Sequence, residues 1–162
     1  MKWVSLLLVF LVVAGVMGIS GCTSNSTNDT SITTSSGNGT SPPEGVNRTE
    51  DPNVGVYISE SQNWEVSVEK KDSSFSKSEI GTYLTEITNP KYGTYTNIKN
   101  GTKTLNGYKV YYKSFTKVNG DFQEKFFFEK NGTWYLVTID DQPGNPNKSI
   151  IDSEIKYYMN KL

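Results

Sequence analysis

Few side chains in this chain can do chemistry. There is no histidine, and Cys22 is the only cysteine. Without histidine, Ser-His-Asp triads, Cys-His pairs and nearly all zinc and haem sites fall away. A lone thiol has no intrachain disulfide partner, so Cys22 needs a chemistry of its own. Carboxylates remain, and Glu124, Glu129, Asp140 and Asp141 could supply the acid and base of a glycoside hydrolase. They alternate with lysines on extended segments, the pattern of a solvated sheet face. The glycines fall in turns, and none forms a phosphate-binding loop. The run Asp140-Asp141-Gln142-Pro143-Gly144-Asn145-Pro146-Asn147 is rich in the oxygen ligands calcium prefers, but its spacing is not that of an EF-hand. It reads instead as a strand-to-helix connection capped by Asn147 or Ser149. The expectation is a non-enzymatic protein with no catalytic residue, metal or cofactor.

Cys22 acquires its chemistry from what precedes it. Met1-Lys2 is followed by an apolar run from Trp3 to Ile19, interrupted only by Ser5. A cationic start, an apolar stretch and small residues make a secretory signal. The run is also near the lower limit for a helix that spans a bilayer. Ile19-Ser20-Gly21-Cys22 closes it and resembles the lipobox of prokaryotic lipoproteins, with Ile19 where leucine is usual. The resemblance implies that residues 1–21 are a signal peptide and that Cys22 receives a diacylglyceryl group. Membrane lipid is then the first partner, and the chain sits on the outer face of the cytoplasmic membrane or at the cell surface. An uncleaved N-terminal membrane anchor is the alternative. Both place the remainder outside the cytoplasm.

Residues 22–53 read as a lipidated, disordered tether. From Thr23 to Pro42 more than half the residues are Ser or Thr, and only Ile32 is strongly apolar. Such a segment cannot bury enough surface to offset its ordering entropy. Asn25, Asn28, Asn38 and Asn47 begin N-glycosylation triplets, as do Asn100, Asn131 and Asn147 further on. In a chain this rich in Asn, Ser and Thr, the same triplets also serve as turn and linker sequence.

Residues 54–162 are enough for one domain. The formal net charge is -1, and no basic patch argues for nucleic acid. Asn106-Gly107, Asn119-Gly120 and Asn131-Gly132 mark hairpin turns between strands expected over Tyr95–Leu105, Tyr108–Lys117, Asp121–Lys130 and Thr133–Asp140. A shorter pair is expected at Gly55–Ser59 and Trp64–Val68. Ser76 and Glu79 form a capping box for a helix over Ser76–Thr88, which Asn89-Pro90 ends. Ile151, Ile155, Tyr158, Met159 and Leu162 form the apolar stripe of a second helix over Asn147–Lys161. Phe126 and Phe128 share one sheet face and Phe127 takes the other, so one face or both could be covered. Tyr92, Tyr95, Tyr111, Tyr112, Phe127 and Tyr135 could form an exposed aromatic platform or core pairs.

The fold class is therefore α+β: a twisted antiparallel sheet, a four-strand meander plus N-terminal strands, with two helices packed on it. From Ile80 to Met159 the order of elements resembles the PsbP-like domains. The resemblance rests on the aliphatic helix, on LNGYKVYYKSF, on EKFFFEKNGTWYLVTI with its Trp-Tyr after a charged-Asn-Gly turn, and on a closing helix that begins SIIDSEI. It implies a fold and an extracytoplasmic setting. The functional expectation is a tethered binding or assembly module that meets a protein, an envelope polymer or a small ligand. An accessory subunit of a membrane complex or transporter and a carboxylate-only hydrolase are the alternatives.

Overall fold

The computed structural model of the chain describes residues 41–162. Seven strands form one antiparallel sheet: β1 Asn47–Asp51, β2 Val56–Ser61, β3 Trp64–Lys70, β4 Tyr95–Leu105, β5 Tyr108–Lys117, β6 Phe122–Lys130 and β7 Thr133–Asp141. Two helices accompany it, α1 Lys77–Glu86 and α2 Lys148–Lys161, with a 3-10 turn at Pro90–Tyr92. The architecture is α+β, a seven-strand antiparallel sheet with both helices packed on it. Strand order is β1-β2-β3-β7-β6-β5-β4. The chain builds one half of the sheet, carries α1 across a face, re-enters at the far edge as β4 and meanders back to β3.

Local chemistry sets the turns. Asn106-Gly107 and Asn131-Gly132 have positive φ at both residues, the two-residue turn whose twist matches the strands. Asn119-Gly120 sits in a longer connection, where the Lys117 amide bonds the Asp121 carbonyl across it. Gly55 is required by space: a Cβ there would lie 2.6 Å from Lys70 Cβ. At α1 the Glu79 carboxylate accepts the Ser76 amide at 2.7 Å, the reciprocal half of the capping box.

Phe126, Phe127 and Phe128 are all fully buried. Strand periodicity sends Phe126 and Phe128 to one face and Phe127 to the other. Under α2 the first two join Val66, Val68, Val137, Ile151, Ile155, Tyr158 and Met159. On the opposite face Phe127 joins Leu136, Ile80 and Leu84 beneath α1. Phe75 stacks on Phe127 and Tyr83 meets it edge-on, both at 5.2 Å between ring centroids. Core therefore exists on both faces of this row. Lys130 closes the α2 end by donating to the Met159 and Asn160 carbonyls at 2.9 Å each.

The folded unit begins earlier than Val54, so the expected tether through Asn53 is corrected. Val46 is buried, and β1 pairs with β2 in register from Asn47↔Glu60 to Asp51↔Val56. Arg48 holds this strand to α2: its Nε and Nη2 donate to Glu154 Oε2 and Oε1 at 2.7 and 2.8 Å. Ser59 Oγ donates to Glu154 at 2.6 Å and lies 2.8 Å from the Tyr158 hydroxyl, which donates to the Ile58 carbonyl. The guanidinium also rests 3.8 Å above the Tyr157 ring, and Lys161 pairs with Glu50. Sequence composition hides this strand because its inward anchors are polar rather than apolar.

Two expectations follow. Phe127→Ala and Phe128→Ala should each cost about 3–5 kcal/mol in denaturant unfolding, since both faces are core. Equality would fail if only one face carried the stability. A chain beginning at Val54 should melt far below one beginning at Ser41, because removing Arg48 strands a buried carboxylate at a cost of about 3–5 kcal/mol. Burial pushes the Glu154 carboxyl up, but the Arg48 and Ser59 hydrogen bonds outweigh it and hold its pKa below the ordinary 4.5. This stabilisation is present above the ordinary value and is lost as pH falls through the lower folded one. The melting difference between wild type and Glu154→Gln should accordingly shrink on acidification below that range.

Candidate functional site

The helix α2 covers β3, β7 and the Phe126–Phe128 part of β6, and leaves the face of β4 and the start of β6 open on its other side. Between the helix and those strands runs a groove of about 490 Å³, within the size range of small-ligand sites. Its floor is apolar: Phe126, Ile139, Ile151 and Ile155 are buried core side chains that reach it, and Leu105 joins the lining. Phe122 stands in its wall, 38% exposed, an aromatic the core does not need. The rim is charged. On the sheet side Lys103 Nζ donates to Glu124 Oε1 at 2.6 Å and lies 4.8 Å from the Tyr112 ring centroid. On the helix side Lys148, Asp152 and Lys156 recur at four-residue spacing.

Register explains which sequence candidates meet here. Phe122 pairs with Asp141 and Glu124 with Ile139, so Glu124 and Asp141 lie on the groove face. Asp140 and Glu129 fall on the opposite face, which parts the four carboxylates into two pairs. Of the groove carboxylates, Glu124 is engaged by Lys103 and Asp141 by the Asn145 side-chain amide at 2.6 Å, while Asp152 on the helix rim holds no side-chain partner among the described residues. Asp140 accepts from Lys117 at 2.6 Å and from Gln123 at 2.7 Å. With Glu60, Glu65 and Asp121 it lines a second, polar hollow of about 230 Å³. There burial, with Asp140 and Glu60 nearby, pushes the Glu65 carboxyl up.

The oxygen-rich loop is a strand-to-helix connection. Asn145 Oδ1 accepts the Asn147 amide at 2.9 Å, and the Gln142 amide bonds the Asn63 carbonyl. Asn147 is the α2 N-cap residue. Among the described residues no group of three His, Cys, Asp or Glu is placed to hold a metal ion. The aromatic set does not assemble as a platform. Tyr112 and Tyr135 lie on the α2 face, Tyr111 and Phe127 on the other, Tyr95 packs edge-on against Phe115, and only Tyr92 is widely exposed. Asn47, Asn100, Asn131 and Asn147 are all exposed. Cys22, Asn25, Asn28 and Asn38 lie outside the described residues.

No family model matches this chain, and no curated protein matches it.

Sequence reading missed the groove because it arises from how far α2 reaches across the sheet. It also missed Arg48 and Glu154, though both leave a trace. Arg48 is the only arginine in the chain, and Glu154 interrupts an apolar helix stripe.

The groove wall should be dispensable for stability. Phe122→Ala should cost no more than about 1 kcal/mol, whereas Phe126→Ala, one floor position away, should cost about 3–5 kcal/mol. Equal losses in chemical denaturation would make Phe122 a core residue and close the groove as a site.

Proposed function

We propose that the chain is an exported lipoprotein, acylated on Cys22, whose PsbP-like domain is a non-catalytic binding or assembly module. The groove beside α2 carries this reading. It joins an apolar floor, a spare aromatic at Phe122 and charged groups of both signs in one open site, the composition that fixes and orients a bound partner. Its two sheet-side carboxylates, Glu124 and Asp141, are occupied by intramolecular partners, which favours binding over hydrolysis. The PsbP-like assignment draws support from one antiparallel sheet with a helix on each face and from the Asn131-Gly132 turn ahead of Trp134-Tyr135. The exposure of Asn47, Asn100, Asn131 and Asn147 makes them available to a glycosylation enzyme where the host has one.

Two measurements test the two parts. Mass spectrometry of the native N-terminus should show a chain that begins at Cys22 and carries a diacylglyceryl thioether. Intact Met1 to Gly21 would overturn processing, and an unmodified thiol would overturn lipidation. A photo-crosslinking residue at Phe122 should yield one discrete adduct in intact cells, while the same residue at Glu79, on the exposed side of α1, should not. No adduct at Phe122 would remove the groove as the binding site.

A further inference from the structure

The strand β4 is an anomaly in this sheet. It is one of the sheet's two edge strands, paired only with β5, and it runs for eleven residues. Every residue from Thr96 to Thr104 is exposed. Neither helix covers its exposed run, which is held by backbone pairing with β5 and by a few side-chain contacts such as Lys103 with Glu124 and Tyr95 with Phe115. Its inner half is regular: Lys99↔Ser114 through Leu105↔Tyr108 runs without a break into the two-residue Asn106-Gly107 turn. A turn of that kind closes on a hydrogen-bonded pair. Leu105, Lys103, Gly101 and Lys99 therefore bond inward to β5, and the N–H and C=O groups of Asn100, Thr102 and Thr104 point outward.

The charge of this region is one-sided. From Lys91 to Gly120 the chain holds six lysines and no Asp or Glu, although its formal net charge is -1. Lys103 and Lys117 are neutralised by Glu124 and Asp140 from β6 and β7. Lys99 has no ion-pair partner among the described residues. Lys99 and Lys103 share a face four residues apart, about 13 Å along the strand. Before them, a register shift between Thr96 and Lys99, with Asn97 at positive φ, ends the flat edge.

Lysines and a bulge on an edge strand are the usual guard against unwanted pairing. That guard repels cationic and self-complementary strands, but the same charges attract an acidic one. We propose that the outer edge of β4 from Lys99 to Leu105 docks an extended acidic segment of another protein, which adds to the sheet as a further strand. Backbone groups of Asn100, Thr102 and Thr104 supply affinity, Lys99 selects a carboxylate, and the half-exposed Lys103 adds a second at matching spacing through the ammonium donors its Glu124 bond leaves free. A second copy of this chain is a poorer partner. Pairing β4 with itself about Gly101 sets Lys99 opposite Lys103, and pairing about Thr102 sets the two Lys103 side chains diagonal to each other, both repulsive. The inference rests on the domain being a binding module, and its test does not use the groove or the lipid anchor.

The probe is a labelled peptide of alternating threonine and valine with two glutamates four residues apart. It is titrated by fluorescence anisotropy with the full chain in detergent solution. Saturable binding is expected. It should weaken at least about tenfold with Lys99→Glu, with glutamine in place of the peptide glutamates, and with N-methylation along the peptide's pairing edge. Lys99 is exposed and unpaired, so the variant should keep the wild-type melt; Lys99→Gln, expected to weaken binding less, guards against a folding defect. Binding that survives N-methylation would overturn strand addition, and binding indifferent to Lys99 would overturn the location. Absence of binding, or dimerisation of the chain through β4 in place of peptide binding, would overturn the proposal. A discrete Phe122 adduct alongside any of these failures would leave the module reading intact.

Discussion

Side chains on a strand alternate, and this sequence places three phenylalanines in a row at the middle of its central hairpin. One orientation of β6 cannot hide all of Phe126, Phe127 and Phe128 on a single face. Each face must be covered over that row, and the chain has one helix for each. The demand is unequal. Phe127 needs only a small cap, met by the ten-residue α1 with Phe75 and Tyr83. Phe126 and Phe128 sit in a larger cluster that reaches from Val46 to Met159, and the longer α2 covers it. The crossover through α1 follows from the same constraint, since the chain must travel over the Phe127 face before it can begin the meander.

What α2 covers depends on where it is pinned. Its apolar stripe would fit several positions over a twisted sheet. The Glu154 carboxylate removes that freedom, because it must lie where Arg48 and Ser59 can both reach it. That location is the β1-β2 side. Burial also pushes the Tyr158 hydroxyl up to about 12, so it stays protonated and available to donate to the Ile58 carbonyl. Buried polar groups of this kind are weak stabilisers compared with apolar ones, and their clearer contribution is to fix one arrangement among several. Pinning the helix toward β1 and β2 leaves the groove and the exposed β4 edge on the other side. The pin and the open surface are thus two consequences of one placement.

The sheet was legible because its signals are local. Asn-Gly turns, alternating aromatics and the Ser76-Glu79 cap each act within a few residues, and the four meander strands and both helices lie within a residue or two of their expected bounds. The strand β1 was not legible. Asn47-Arg48-Thr49-Glu50-Asp51 has no apolar alternation and follows a Ser/Thr-rich stretch, so composition assigns it to a tether. Its place is decided by a carboxylate 106 residues away, and long-range polar pairing leaves no periodicity to read. The candidate site was partly legible. Glu124 and Asp141 were visible as carboxylates, but only the register Phe122↔Asp141 and Glu124↔Ile139 brings them to one face. The same register separates Asp140 and Glu129 from them.

The lysines of β4 and β5 show how an average conceals a distribution. Over the whole chain acids and bases nearly cancel, and on that measure no charged partner is indicated. Across the sheet they do not mix: Lys91 to Gly120 carries cations only, while most carboxylates lie on β1 to β3, the start of β6, the end of β7 and the helices. Meander topology makes this matter, because consecutive strands are spatial neighbours and a one-signed stretch of sequence becomes a one-signed edge. The neighbouring β6 and β7 supply Glu124 and Asp140, which neutralise the inner lysines and hold β4 and β5 against the sheet. Lys99 lies beyond a direct partner of that kind. The residual charge therefore concentrates where the backbone is also unpaired, and an incoming acidic strand would meet attraction and open hydrogen-bonding groups at the same place.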